Sequence, residues 1–110
     1  MGTTKQLADE FLGWWSNPES NPGFPRRFAQ GFTFTMEPVG LADSGAVWLI
    51  EQAPPWSEVK VKSQEVEGDT ARIVIEGVDP VTLLRLEISW KLVIQEERIV
   101  SVLQHGRILE

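Results

Sequence analysis

Apolar and polar residues alternate with a period of two along the C-terminal half of the chain. Across Thr82–Ile94 the even positions are Thr82, Leu84, Leu86, Ile88, Trp90, Leu92 and Ile94, and the odd ones are Leu83, Arg85, Glu87, Ser89, Lys91 and Val93. Successive side chains of a strand point to opposite faces, so the run Val81–Ile94 predicts one long strand with a greasy face and a mostly polar one. Such a strand belongs to an antiparallel sheet covered on one side. Residues 57–105 read as four strands in succession. Val59, Val61 and Ser63 pair best with Ile75, Ile73 and Ala71 around a turn at Glu67-Gly68-Asp69. A two-residue turn at Glu96-Glu97 sets Ile94 opposite Ile99, Leu92 opposite Ser101, Trp90 opposite Leu103 and Ile88 opposite His105.

The N-terminal half changes period. Leu7, Phe11, Trp14 and Trp15 recur at i, i+4, i+7 and i+8, which predicts an amphipathic helix capped by Thr3 or Thr4, with Gln6 completing a capping box. Three prolines and a glycine in Ser16–Pro25 end it. A short second helix is predicted over Arg26–Gln30. Phe32, Phe34 and Met36 alternate with Thr33, Thr35 and Glu37 as a first strand, stopped by Pro38. A third helix, Gly45–Gln52, has Asp43 or Ser44 as its cap and Val47, Trp48 and Glu51 at helical spacing. The expected order is α-α-β-α-β-β-β-β, an α+β fold in a single domain spanning 1–110.

Composition narrows the function classes. Ten basic residues against sixteen acidic ones give a net charge of −6, the wrong sign for a surface that must neutralise phosphates, so no nucleic-acid partner is expected. No apolar run approaches the roughly 20 residues of a membrane span, so no membrane partner is expected either. The start MGTTKQLADEF lacks an apolar stretch after a basic one and predicts no secretory signal. With no cysteine, the expected compartment is the cytoplasm. The adjacent Arg26-Arg27 pair reads as a solvated helix face. A lone histidine excludes sites built on two imidazoles, so no metal is expected. No glycine-rich phosphate loop, nucleophile elbow or acidic calcium loop is present, and no cofactor is expected.

RFAQGFTFTMEPVG, followed by a helix and a meander ending IQEERIVSV, resembles the nuclear transport factor 2-like superfamily, which includes polyketide cyclases, ketosteroid isomerase and limonene epoxide hydrolase. Glu97 stands where the closing hairpin of that family customarily has glycine. The resemblance implies a cone-shaped, strongly bent, mostly antiparallel sheet wrapped around three helices, with a pocket at its wide end and a homodimer formed through the sheet. It does not fix chemistry, because members range from enzymes to non-catalytic modules.

The resemblance also singles out residues. Glu37-Pro38-Val39-Gly40 falls where ketosteroid isomerase carries its general-base Asp, and a carboxylate in an apolar cone can work as a base near neutral pH. The same Glu37 also reads as a solvated strand-end acid, since alternation aims it away from Phe34 and Met36. There is no tyrosine to serve as the family's oxyanion-binding group. His105, expected on the face of Leu103 and Ile99, is a second candidate for polar ligand contact. Asp43, Arg85 and Glu87 imitate the Asp-Arg-Asp set of limonene epoxide hydrolase only if the polar strand face is the pocket face; otherwise Arg85 and Glu87 are a surface or dimer-face pair. Five tryptophans and five phenylalanines fill a small core or line a cavity. The ligand-contacting set expected from these elements is Trp14, Phe28, Met36, Trp48, Trp56 and Trp90. Two functions follow: a pocket for an apolar or weakly polar small molecule, cyclase-like or isomerase-like, or a non-catalytic binding and dimerisation module.

Overall fold

The computed structural model describes residues 3–109. It contains two α-helices, α1 (Thr3–Ser16) and α2 (Asp43–Gln52), and six strands: β1 (Phe28–Glu37), β2 (Leu41–Ala42), β3 (Ser57–Glu67), β4 (Thr70–Val78), β5 (Arg85–Gln95) and β6 (Arg98–Ile108). The strands form one mixed sheet in the order β2-β1-β6-β5-β4-β3, parallel only where β1 meets β6. The expected second helix, Arg26–Gln30, is replaced by a 3-10 turn at Phe24–Arg27, after which Phe28 already opens β1. The sheet takes these residues because Phe28 and Phe34 bury rings against α1, an extended chain's contribution that four helical residues could not make.

The apolar stripe of α1 packs as its spacing predicts. Leu7, Ala8, Phe11, Trp14 and Trp15 are all buried. Phe11 lies edge-on to Trp90 at 5.3 Å between ring centroids, and Trp14 stacks on Phe24 at 5.3 Å. Such pairs add roughly 0.5–1.5 kcal/mol each beyond the area they bury. Thr4 donates its hydroxyl to the Gly68 carbonyl (3.0 Å) and Gln64 donates to Asp9 (2.8 Å), so the helix is tied by side-chain bonds to the C-terminal end of β3 and the turn that follows it.

On α2 the buried face is Ala46 and Ile50, one turn apart, and Trp48 is 61% exposed on the other side. Asp43 serves β1 instead of capping its own helix: its carboxylate accepts from the Phe34 amide at 3.1 Å.

The predicted long strand is shorter at its start. Asp79 accepts from the Val81 amide through Oδ1 and from the Leu83 amide through its carbonyl, holding residues 79–84 in a turn that β5 leaves at Arg85. From there Ile88, Trp90, Leu92 and Ile94 are buried in strict alternation. The β3–β4 register moves to Val61 opposite Ile75 and Val66 opposite Ala71, because the turn is two residues long and β3 carries two irregularities.

The closing hairpin turns at Glu96 and Glu97, both with positive φ (52° and 63°), and keeps Ile94 opposite Ile99. Beyond that point a bulge at Val100 shifts the register by one residue. Leu92 meets Val102, Trp90 meets Gln104 and Ile88 meets Gly106, in place of the expected Ser101, Leu103 and His105. A one-residue slip sends every later side chain to the opposite face. Leu103 and His105 therefore lie exposed on the outer face of the sheet, and Val102 and Gln104 are buried. Among the described residues no helix is long and apolar enough to cross a membrane.

Candidate functional site

At one end of the sheet, beyond the aromatic core, lies a cavity of about 340 Å³. Its walls come from five places: Trp15 at the end of α1; Met36 to Val39 where β1 stops; Leu49, Ile50, Ala53 and Pro54 closing α2, with Trp56 just after; the 79–84 turn; and the paired ends of β5 and β6. Each wall has a local cause. Gly40 (φ 81°) donates its amide to the Met36 carbonyl at 2.8 Å, a turn that folds Pro38 and Val39 over the cavity edge. The prolines after α2 end that helix beside Trp56. Gly106 faces Ile88 so closely that an added Cβ would sit 3.1 Å from its Cδ1, and the missing side chain leaves that part of the cavity open.

Most of the lining is apolar. Glu37, exposed at the end of β1, sits at the rim; it makes no ion pair or side-chain hydrogen bond among the described residues, and its register partner is His105. Gln104 reaches the cavity from the core side, is 7% exposed, and accepts the indole N–H of Trp90 at 2.7 Å. Arg107, also at the edge, is engaged by Glu87 at 2.9 Å.

The expected ligand-contacting residues separate. Met36 and Trp56 line the cavity. Trp14, Phe28 and Trp90 are buried in the aromatic core and do not reach it, and Trp48 is exposed on α2. Trp15, Leu86, Ile88 and Gln104 line the cavity without having been expected there as site residues. Gln104 had a faint sequence signal: the apolar doublets Ile99-Val100 and Val102-Leu103 break strict alternation, which is what a bulge does to a pattern.

The limonene epoxide hydrolase-like trio does not assemble. Asp43 holds the Phe34 amide, Arg85 pairs with Glu58 (2.8 Å) and Glu76 (3.4 Å), and Glu87 pairs with Arg107 (2.9 Å) and Lys62 (3.2 Å); none of the three lines the cavity. Arg85 and Glu87 instead belong to a chain of ion pairs across the outer face of β3, β4, β5 and β6. Hydrogen bonds from Arg107 and then Lys62 hold the Glu87 carboxyl below its ordinary range. Among the described residues no group of three or more histidine or carboxylate side chains is placed to hold a metal ion.

No sequence-family model and no curated protein matches the chain. Solved structures do. A candidate ketosteroid isomerase from Kribbella flavida superposes with a TM-score of 0.79 at 13% identity, over 97% of this chain and 79% of that one. A nuclear transport factor 2-like protein of unknown function from Mesorhizobium loti gives 0.76 at 16% identity, over 96% and 91%. A steroid delta-isomerase from Pseudomonas aeruginosa gives 0.71 at 13%, over 99% and 82%.

The chain has the nuclear transport factor 2-like fold. Identities this low establish the nuclear transport factor 2-like architecture and leave the chemistry to the chain's own residues.

Proposed function

We propose that the protein binds an apolar or weakly polar small molecule in the cavity between α2, β1 and the ends of β5 and β6, as an isomerase-like or polyketide cyclase-like protein. The observation that carries this reading is the cavity itself: about 340 Å³, within the range of small-molecule sites, apolar on most sides and with few polar groups. The steroid delta-isomerase with the same fold supports trying fused, apolar ring compounds of the steroid kind as ligands. In the catalytic form of this reading Glu37 is the general base. Its carboxylate sits at the rim free of ion pairs among the described residues, and it would take a proton from a carbon acid held in the cavity.

The test is a titration of steroids, aromatic polyketides and apolar metabolites followed by tryptophan emission, since Trp15 and Trp56 line the cavity. Saturable quenching by one class supports the reading; no response from any class opposes it. For a ligand that is also turned over, Glu37→Gln should retain binding and lose turnover, and unchanged turnover would remove Glu37 from the chemistry.

The alternative, a binding and dimerisation module, draws on the outer sheet face, where Leu103 is 44% exposed beside His105 and the ion-pair chain. We include a homodimer through this face in the proposal. Sedimentation equilibrium at micromolar concentration should give twice 12.4 kDa, and a single species at the chain mass would refute it.

A further inference from the structure

Gln104 is the one polar side chain at this cavity that is more than nine-tenths buried, and its amide oxygen is already engaged. An indole N–H only donates, so the atom that Trp90 meets at 2.7 Å must be the amide oxygen. That fixes the orientation of the amide by chemistry, leaving its NH₂ group as the free end. The Nε2 atom makes no hydrogen bond among the described residues, yet Gln104 forms part of the cavity wall. Among the described residues the only buried side-chain nitrogen or oxygen without a partner is the Trp14 indole nitrogen, so Nε2 of Gln104 keeps access to the cavity space, where a ligand acceptor can take its hydrogen bond.

Other polar groups at the cavity do not compete for this role. Asp79 Oδ1 is occupied by the Val81 amide and Arg107 by Glu87, while Thr82, whose Oγ1 accepts from the Leu84 amide, and Glu37 are exposed rim residues. The positioning is also rigid: Trp90 is 2% exposed and held edge-on by Phe11 and Trp15, so the amide cannot rotate without abandoning a buried indole.

We propose that Gln104 is the ligand-orienting residue of this site, donating from Nε2 to a carbonyl oxygen on an otherwise apolar ring ligand, with Trp90 as the residue that sets its direction. The proposal rests on the cavity being a small-molecule site and adds to it the polar group that the ligand must carry.

The experiment compares 2-decalone with its parent hydrocarbon decalin, titrated into the native protein and into Gln104→Met by tryptophan emission. The native protein should favour the ketone roughly five- to tenfold, the worth of one neutral hydrogen bond, and Gln104→Met should bind both alike. Equal binding by the native protein, or a preference that survives Gln104→Met, overturns the assignment of Gln104 and leaves the small-molecule reading standing. Binding of neither compound overturns both. The carbonyl stretch of 2-decalone bound to the native protein supplies a readout that does not depend on the variant folding: a shift to lower wavenumber than in hydrocarbon solvent is expected, and an unshifted band overturns the proposal.

Discussion

The indole rings of Trp15 and Trp56 meet at 4.9 Å between centroids, and this contact is the partition between the cavity and the aromatic core. Trp15 continues the series inward, edge-on to Trp90 at 4.8 Å. Trp56 is only partly buried, so Trp56→Ala should cost less than the roughly 3–5 kcal/mol of a fully buried aromatic, about 1–3 kcal/mol in denaturant unfolding. The same variant should lose most of any ligand-induced change in emission.

Trp14 and Trp90 are equally deep but differ in one hydrogen bond. The Trp14 indole N–H has no partner, while that of Trp90 is held by Gln104. Both changes to Phe remove the same atoms from a packed core. Only Trp90→Phe strands the Gln104 oxygen, so it should be the more destabilising by about 1–3 kcal/mol. Equal losses in denaturant unfolding would show that the Trp90–Gln104 bond adds nothing.

Glu96 and Glu97 form a two-residue hairpin loop with positive φ at both positions, a geometry that suits Asn-Gly and strains residues with a Cβ. Replacing the pair by Asn-Gly should raise stability by about 1 kcal/mol, read as a higher urea midpoint at unchanged slope. A fall in stability would mean that the turn is held in place by contacts of the glutamate side chains.

Acid should weaken the outer ion-pair chain. The folded Glu87 carboxyl is depressed by its bonds to Arg107 and Lys62, and Asp9 is depressed by hydrogen bonds from Lys5 and Gln64. A carboxyl whose folded pKa lies below its unfolded value stabilises the protein above that unfolded value, and the contribution is lost as pH falls through the folded one. Stability should therefore decline from about pH 5 downward, less steeply in Arg107→Gln and less steeply still in high salt. An identical acid slope in Arg107→Gln would show that Glu87 gains nothing from this partner.

Gly106 keeps part of the cavity empty. Gly106→Val should fill it at a cost of about 1–3 kcal/mol, as the Ile88 methyl must move, and should weaken any cavity ligand at least tenfold. Undiminished affinity would put the ligand elsewhere.

Elements whose hydrophobic period is unambiguous were legible from local pattern alone. Leu7, Phe11, Trp14 and Trp15 define α1, and Ile88, Trp90, Leu92 and Ile94 define the buried face of β5, because one register alone buries each set. The mixed helix-and-strand class was legible from these periods, although the expected second helix became a 3-10 turn and the start of β1. Tertiary structure decided the rest, starting with α2, whose buried face is set by Ala46 and Ile50 and leaves Trp48 in solvent. It decided where β5 begins, since Asp79 claims the Val81 and Leu83 amides that a longer strand would have used. Above all it decided which side chain of β6 reaches the cavity. Ile99-Val100 and Val102-Leu103 are apolar on both faces, so alternation alone allows His105 or Gln104 to point inward. The choice is made by pairing β6 with β5 on one side and β1 on the other, which requires a bulge at Val100 and turns His105 out and Gln104 in. Pairing between strands distant in the chain decided which polar side chain faces the cavity, and local pattern carries no term for that.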